Sequence, residues 1–171
     1  MEYLSSADAA PAGCIFCDFP AAGPSGFRGH LILCATPEAF VIMNRYPYSN
    51  GHLMVVPRRH ENDPAKLPAD ELAALSTLLV RSTTIVREVM GAHGLNLGMN
   101  LGRVAGAGID QHLHWHIVPR WNGDTNFMPV LADVKVMSEH LTATYERFLP
   151  AFAGLGEGPG EARTALPGEG R

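Results

Sequence analysis

The sequence lacks any uninterrupted apolar stretch near the roughly 20 residues of a membrane span, so no transmembrane segment is expected. It lacks a basic start followed by an apolar core: MEYLSSADAAPAGC reads as a flexible lead-in over residues 1–12, not a secretory signal. A cytoplasmic location is therefore expected. It also lacks a strong charge of either sign. With a formal net charge of -4, general affinity for a nucleic acid or an anionic membrane is excluded, and any phosphate-bearing ligand has to be met locally. Lysine is nearly absent, represented by Lys66 and Lys135 alone, which bears on genome composition more than on function. Cysteine is scarce: three residues, two of them paired as Cys14-Ile-Phe-Cys17. In a chain with no export signal, that spacing favours metal or redox use over a structural disulfide. Cys34, in an apolar run, reads as a core residue.

What is present suffices for one domain with a proper core, at 171 residues and 46% hydrophobic composition. Residues 20–29 form a Gly/Pro-rich loop. HLILCAT (30–36) and AFVIMN (39–44) read as two strands split by Thr-Pro-Glu, and HLMVVP (52–57) as a third. Between residues 69 and 94, Leu72, Leu75, Leu79, Ile85, Val86 and Val89 recur at helical spacing, with Gly91 or Gly94 closing the end. Residues 95–102 alternate as a fourth strand, and HLHWHIVPR (112–120) follows a Gly-rich loop as a fifth. Residues 121–136 read as irregular, and a second helix is expected from about Ser138 to Phe152, with Leu141, Tyr145, Phe148 and Leu149 inward. The expected domain spans 13–153, and 154–171 has too little apolar content to pack. The class is α+β, an antiparallel sheet of about five strands with one long and one C-terminal helix.

QHLHWHIV (111–118) places His112, His114 and His116 at every second position. On a strand these share one face, and Leu113, Trp115 and Ile117 share the other, which docks on the core. Neighbouring imidazoles then sit about 7 Å apart along the row. That is too wide for two adjacent members to hold one metal easily, because Zn–N bonds are about 2 Å. The row suits consecutive phosphates, or one nucleophile with supporters on either side. Gln111 falls on the opposite face.

His112-Leu113-His114-Trp115-His116-Ile117-Val118 fits the His-φ-His-φ-His-φ-φ signature of the histidine triad (HIT) superfamily without mismatch. AFVIMNRYPYSNGHLMVVPRRH resembles the upstream half of its nucleotide site. Asn100 with Gly102 resembles its next strand. RWNGDTNFMPV is similar to the diadenosine polyphosphate phosphorylase branch from bacteria and archaea. The likeness covers residues 14–152.

That resemblance implies a HIT-like fold and an enzyme in which His114 attacks the α-phosphorus of a nucleotide. His116 would then bond phosphate oxygens or the leaving group, with Asn100 touching phosphate or steadying the nucleophile. Asn44 matches the residue holding the ribose hydroxyls, His52 a pocket position, and the amides of the Ala107-Gly108 loop approach the phosphates. Many members carry a Gln four residues before the first triad His; here Gly108 stands instead, as in the phosphorylase-like branch. Trp121 is a candidate against base or phosphate, and Phe40, Ile42 and Val56 for an adenine slot. Some HIT proteins, and the related galactose-1-phosphate uridylyltransferases, bind structural zinc with a cysteine pair and two histidines. The matching residues here are Cys14, Cys17, His60 and His112, which gives His112 a part distinct from its neighbours.

The specific expectation is phosphorolysis of diadenosine tetraphosphate to ATP and ADP. A HIT hydrolase or phosphoramidase, and a nucleotide-binding module with little turnover, are the alternatives. The resemblance also implies a homodimer or higher homo-oligomer.

Overall fold

The computed structural model describes residues 13–124 and 139–160. Two short helices, α1 (Ile15–Ala21) and α2 (Pro24–His30), precede the hairpin of β1 (Ile32–Ala35) and β2 (Ala39–Met43). β3 (Leu53–Pro57), the long helix α3 (Ala69–Met90), β4 (Gly94–Gly98), β5 (Trp115–Arg120) and α4 (Leu141–Phe152) follow. The strands form one sheet in the order β1-β2-β3-β5-β4, antiparallel throughout. This is the expected α+β class and strand number.

Burial follows from strand alternation. Val41 and Met43 of β2, with Leu53 and Val55 of β3, join Leu75, Leu78 and Val86 of α3 and Tyr145, Phe148 and Phe152 of α4 in the main core. The alternate residues, Phe40 and Ile42, with Met54 and Val56, pack on the other face against Phe16 of α1 and Phe27 of α2. β2 and β3 are thus buried on both faces. Each large side chain sealed there contributes about 1.5–3 kcal/mol relative to exposure.

The structure corrects several expectations. Residues 20–29 are not a loop: α2 starts at Pro24, whose ring presets a helical φ, and Phe27 buries against the sheet. Leu31, with φ 62, ends that helix, so His30 belongs to α2 and not to a strand. α1 was not foreseen. In α3, Leu72 is exposed and Leu78 takes the buried position. Gly91, at φ 57, closes α3, and Gly94 opens β4. β4 stops at Gly98, short of residue 102. Only His116 of the triad lies in β5 itself. α4 begins at Leu141, where the His140 side chain accepts from the Thr142 N–H. Residues 154–160 stay against the domain: Glu157 and Ala35 exchange backbone hydrogen bonds of 2.8 Å each way. The expected lead-in at 1–12, the motif residues 125–130, the start of a helix at Ser138 and the tail at 161–171 lie outside the described residues. Among the described residues no helix is long and apolar enough to cross a membrane.

Candidate active site and metal centre

The site lies on the α1 face of the sheet, where β5 emerges between β3 and β4. Ahead of β5 the chain follows the exit of β3: the Leu113 N–H donates to Glu61 O at 2.7 Å. The three triad imidazoles are all buried, at 2%, 6% and 8% exposure for His112, His114 and His116. Each meets a partner that fixes its tautomer.

His112 Nε2 lies 2.8 Å from Pro57 O, a carbonyl that can only accept, so Nε2 carries the proton and Nδ1 presents a lone pair. His114 Nδ1 donates to His112 O at 2.9 Å by the same logic, leaving Nε2 of His114 unprotonated. The Tyr48 N–H donates to His52 Nδ1 at 3.1 Å. His52 Nε2 therefore donates to His116 Nδ1, at 2.9 Å. His116 is left with its proton on Nε2, which among the described residues is the buried side-chain nitrogen without a partner. A bare nitrogen and an unused N–H thus stand side by side, on rings whose centroids are 4.9 Å apart.

Burial holds all three below the ordinary imidazole range. For His114 the backbone bond to His112 opposes that trend without reversing it. His116 is pushed down to about 4, by burial first and then by His114. All three are neutral at pH 7, the form in which an imidazole is a nucleophile or a metal ligand.

His114 and His116 open on a cleft of about 610 Å³. Asn44, Asn100 and Gly108 line it too, so the structure brings together most of the nucleotide-site candidates. Asn100 Nδ2 donates to Gly106 O at 3.3 Å and so ties the Gly-rich loop to the floor. No lining side chain among the described residues is acidic, and Arg45 adds a cation at the rim, which suits an anionic ligand.

Two candidates sit elsewhere. His52 is wholly buried behind His116, away from the cleft wall. Trp121 is absent from the lining, and its Nε1–H points to Met90 O and Gly91 O, 3.3 and 3.1 Å away, at the end of α3. Of the apolar trio, Ile42 lines the cleft, while Phe40 and Val56 lie deeper in the core beneath it.

On the other side of His112, Cys14, Cys17, His60 and His112 bring one donor atom each to within 4.8 Å of one another. His112 Nδ1 lies 3.4 Å from Cys14 Sγ and 3.6 Å from Cys17 Sγ, and His60 Nδ1 lies 3.3 Å from Cys17 Sγ. Ligands at ordinary Zn–S and Zn–N bond lengths stand about 3.4–3.8 Å apart around a tetrahedral ion, so this donor set fits one closely. All three cysteines are free thiols. Burial first, and then the neighbouring Cys14, push the Cys17 thiol up to about 11.

The sequence model described as the HIT domain matches residues 29–123. The chain belongs to the HIT family. It is 38% identical over 114 residues to an AP-4-A phosphorylase of Mycobacterium tuberculosis, covering 67% of this chain and 58% of that one. The match thus spans under three fifths of that relative. Among solved structures, a zinc-bound histidine triad family protein from Mycobacterium smegmatis superposes with a TM-score of 0.65 at 25% identity, over 84% of this chain and 95% of that one. A hypothetical histidine triad nucleotide-binding protein from Sulfolobus tokodaii gives 0.63 at 27% identity, covering 81% of this chain and 89% of that one.

Within this HIT-family fold the cleft has an aromatic wall that no sequence motif announces. Phe16 and Phe19 of α1, His30 of α2 and Tyr48 all line the cleft. Phe19 and His30 stack at 4.2 Å and 15°. The signal was slight, because α1 is seven residues long with Pro20 inside it, and only the three-residue spacing of Phe16 and Phe19 hinted at a shared face.

Proposed function

We propose that this HIT-family protein is an enzyme that cleaves nucleotide phosphoanhydrides by nucleotidyl transfer through His114. The observation that carries this reading is the pair of fixed tautomers: an unprotonated Nε2 on His114 next to an N–H on His116 that lacks a protein partner. His114 Nε2 attacks the α-phosphorus, the P–O bond to the leaving polyphosphate breaks, and a covalent nucleotidyl-histidine forms. The His116 Nε2–H donates to the leaving oxygen as its charge develops. An acceptor oxygen then attacks the same phosphorus and returns His114 to its starting state. With diadenosine tetraphosphate the first step releases ATP, and orthophosphate as acceptor yields ADP. The likeness to the mycobacterial AP-4-A phosphorylase supports that substrate and acceptor.

Asn44 and the aromatic wall would hold the nucleoside, and Asn100 with the Gly106–Gly108 loop would hold the phosphates. Cys14, Cys17, His60 and His112 would hold zinc, as the donor spacing and the zinc-bound relative support. Such an ion, in a closed set of four protein ligands, supplies structural anchoring. We further read the protein as a cytoplasmic homodimer or higher oligomer. The edge strand β4 and the segment after it leave Leu97, Leu101 and Val104 exposed, which supports self-association.

The test is incubation with diadenosine tetraphosphate with and without orthophosphate. ATP plus ADP appearing only with phosphate supports phosphorolysis. ATP plus AMP without phosphate assigns water as acceptor, and no cleavage in either case leaves a binding module.

A further inference from the structure

The metal centre and the nucleotide cleft share one short piece of chain. Ile15 and Phe16, the residues between the two cysteines, both line the cleft. Phe16 is 1% exposed, and its ring meets the His112 ring edge-on at 5.5 Å and the His114 ring at 5.1 Å. One phenyl ring thus touches a metal-site residue, the nucleophile and the nucleoside wall.

α1 is held by packing, with Phe16 in the second core and Cys14, Ile15 and Phe19 against it, and has little stability of its own. Seven residues with an internal proline are too few to be stable as a helix in isolation. Its first turn is tied at Cys14, whose carbonyl accepts from the Cys17 and Asp18 N–H groups at 2.9 Å each. Cys14 and Cys17 in turn face His60, past the end of β3, and His112, ahead of β5. An ion bound by all four would fasten α1 to the sheet at the point from which Phe16 projects.

We infer that occupancy of the Cys14–Cys17–His60–His112 site and binding of a nucleotide in the cleft are positively coupled, with Phe16 as the positioning residue that carries the coupling. This rests on the nucleotide and metal reading proposed above. With the ion in place the aromatic wall is preformed. With it gone, the nucleotide has to order α1 as it binds and loses affinity by that amount. Linkage makes the effect reciprocal, so a nucleotide tightens the ion by the same factor, and about tenfold is in the usual range for coupled sites.

The experiment uses the full chain, zinc-loaded, with AMP as the probe. AMP affinity is measured by calorimetry on the zinc-loaded protein and on protein stripped by a chelator. Zinc affinity is measured by competition with a chromophoric chelator, with and without saturating AMP. Because the stripped protein can lose its fold, His60→Ala is run as well, since it removes the exposed donor and leaves three. The Phe16→Leu single and double variants complete a cycle, with circular dichroism as the check on folding. The expected result is about tenfold weaker AMP binding without zinc, a matching gain in zinc affinity with AMP, and a several-fold loss in His60→Ala. Each of these shrinks toward unity in the Phe16→Leu background. Equal AMP affinity with and without zinc, or equal coupling in Phe16→Leu and the parent protein, overturns the inference alone. Zinc-loaded protein that binds no AMP overturns the nucleotide reading and this inference with it.

Discussion

His52 and His116, 64 residues apart in sequence, are joined by a 2.9 Å hydrogen bond from Nε2 of the first to Nδ1 of the second. The bond aims the remaining N–H of His116 at the cleft. His52 is itself oriented by the Tyr48 N–H and by the Asn44 amide, 3.1 and 3.3 Å from its Nδ1. The outermost imidazole of the triad is therefore set by a loop far from it in the chain.

Replacing His52 by Ala frees His116 to take the other tautomer. If His116 serves the leaving group, kcat falls by about tenfold or more while KM for the dinucleotide changes little, since His52 lies behind the wall. Steady-state kinetics resolve the two. His52→Gln, which can still donate, should recover part of the loss.

His114→Ala removes the nucleophile. Turnover should drop by at least about 10³-fold, and the radiolabelled adenylyl-protein trapped from the parent should vanish on a denaturing gel. Unchanged turnover in a folded variant would falsify the covalent route.

Acid should weaken the fold through His116. Its pKa in the folded protein, about 4, is below the ordinary 6.5, so the unfolded chain takes up the proton first as pH falls. Its contribution is complete above 6.5 and is lost between 6.5 and 4, at up to about 1.4 kcal/mol per pH unit. Urea unfolding at pH 7.5 and pH 5 should show a loss of about 2 kcal/mol from this group. His116→Gln should lose correspondingly less over the same interval.

Cys17→Ser removes one of the four clustered donors. Zinc measured by elemental analysis should fall from about one per chain in the parent, and the melting temperature should drop, by several degrees for each kcal/mol of binding free energy lost. The parent protein treated with a strong chelator should move the same way. A parent protein purified without zinc and unaffected by the chelator would rule the metal centre out.

The sheet and the two main helices were legible because their signals are local in the sequence. β2 and β3 are near-continuous apolar runs, and α3 carries its apolar residues at helical spacing. The exception at Leu72 arose because periodicity marks a face without saying where along the helix that face meets the core. The metal-site candidates came from the family resemblance and the spacing Cys14-x-x-Cys17, and the fold brings all four together. What stayed hidden depends on partners distant in sequence. The tautomers of His112 and His116 are set by Pro57 and His52, and no local pattern announces either bond. The alternation of the row held, with Leu113 and Ile117 in the main core and Trp115 against it, but its spacing did not: the His114 and His116 ring centroids are 4.9 Å apart because the rings turn toward each other. The wall of α1 and α2 was invisible because Gly, Pro and short length all argue for a loop, and burial of Phe16 and Phe27 overrides them.

The four clustered donors come from three separated stretches of chain: Cys17 is 43 residues from His60 and 95 from His112. No pair of neighbouring elements can assemble that set on its own. It exists only when the N-terminal turn, the exit of β3 and the approach to β5 are all in place, which makes it a property of the whole domain. Displacing any one of those three stretches would accordingly scatter the donors, so the cluster reports on the integrity of the whole domain.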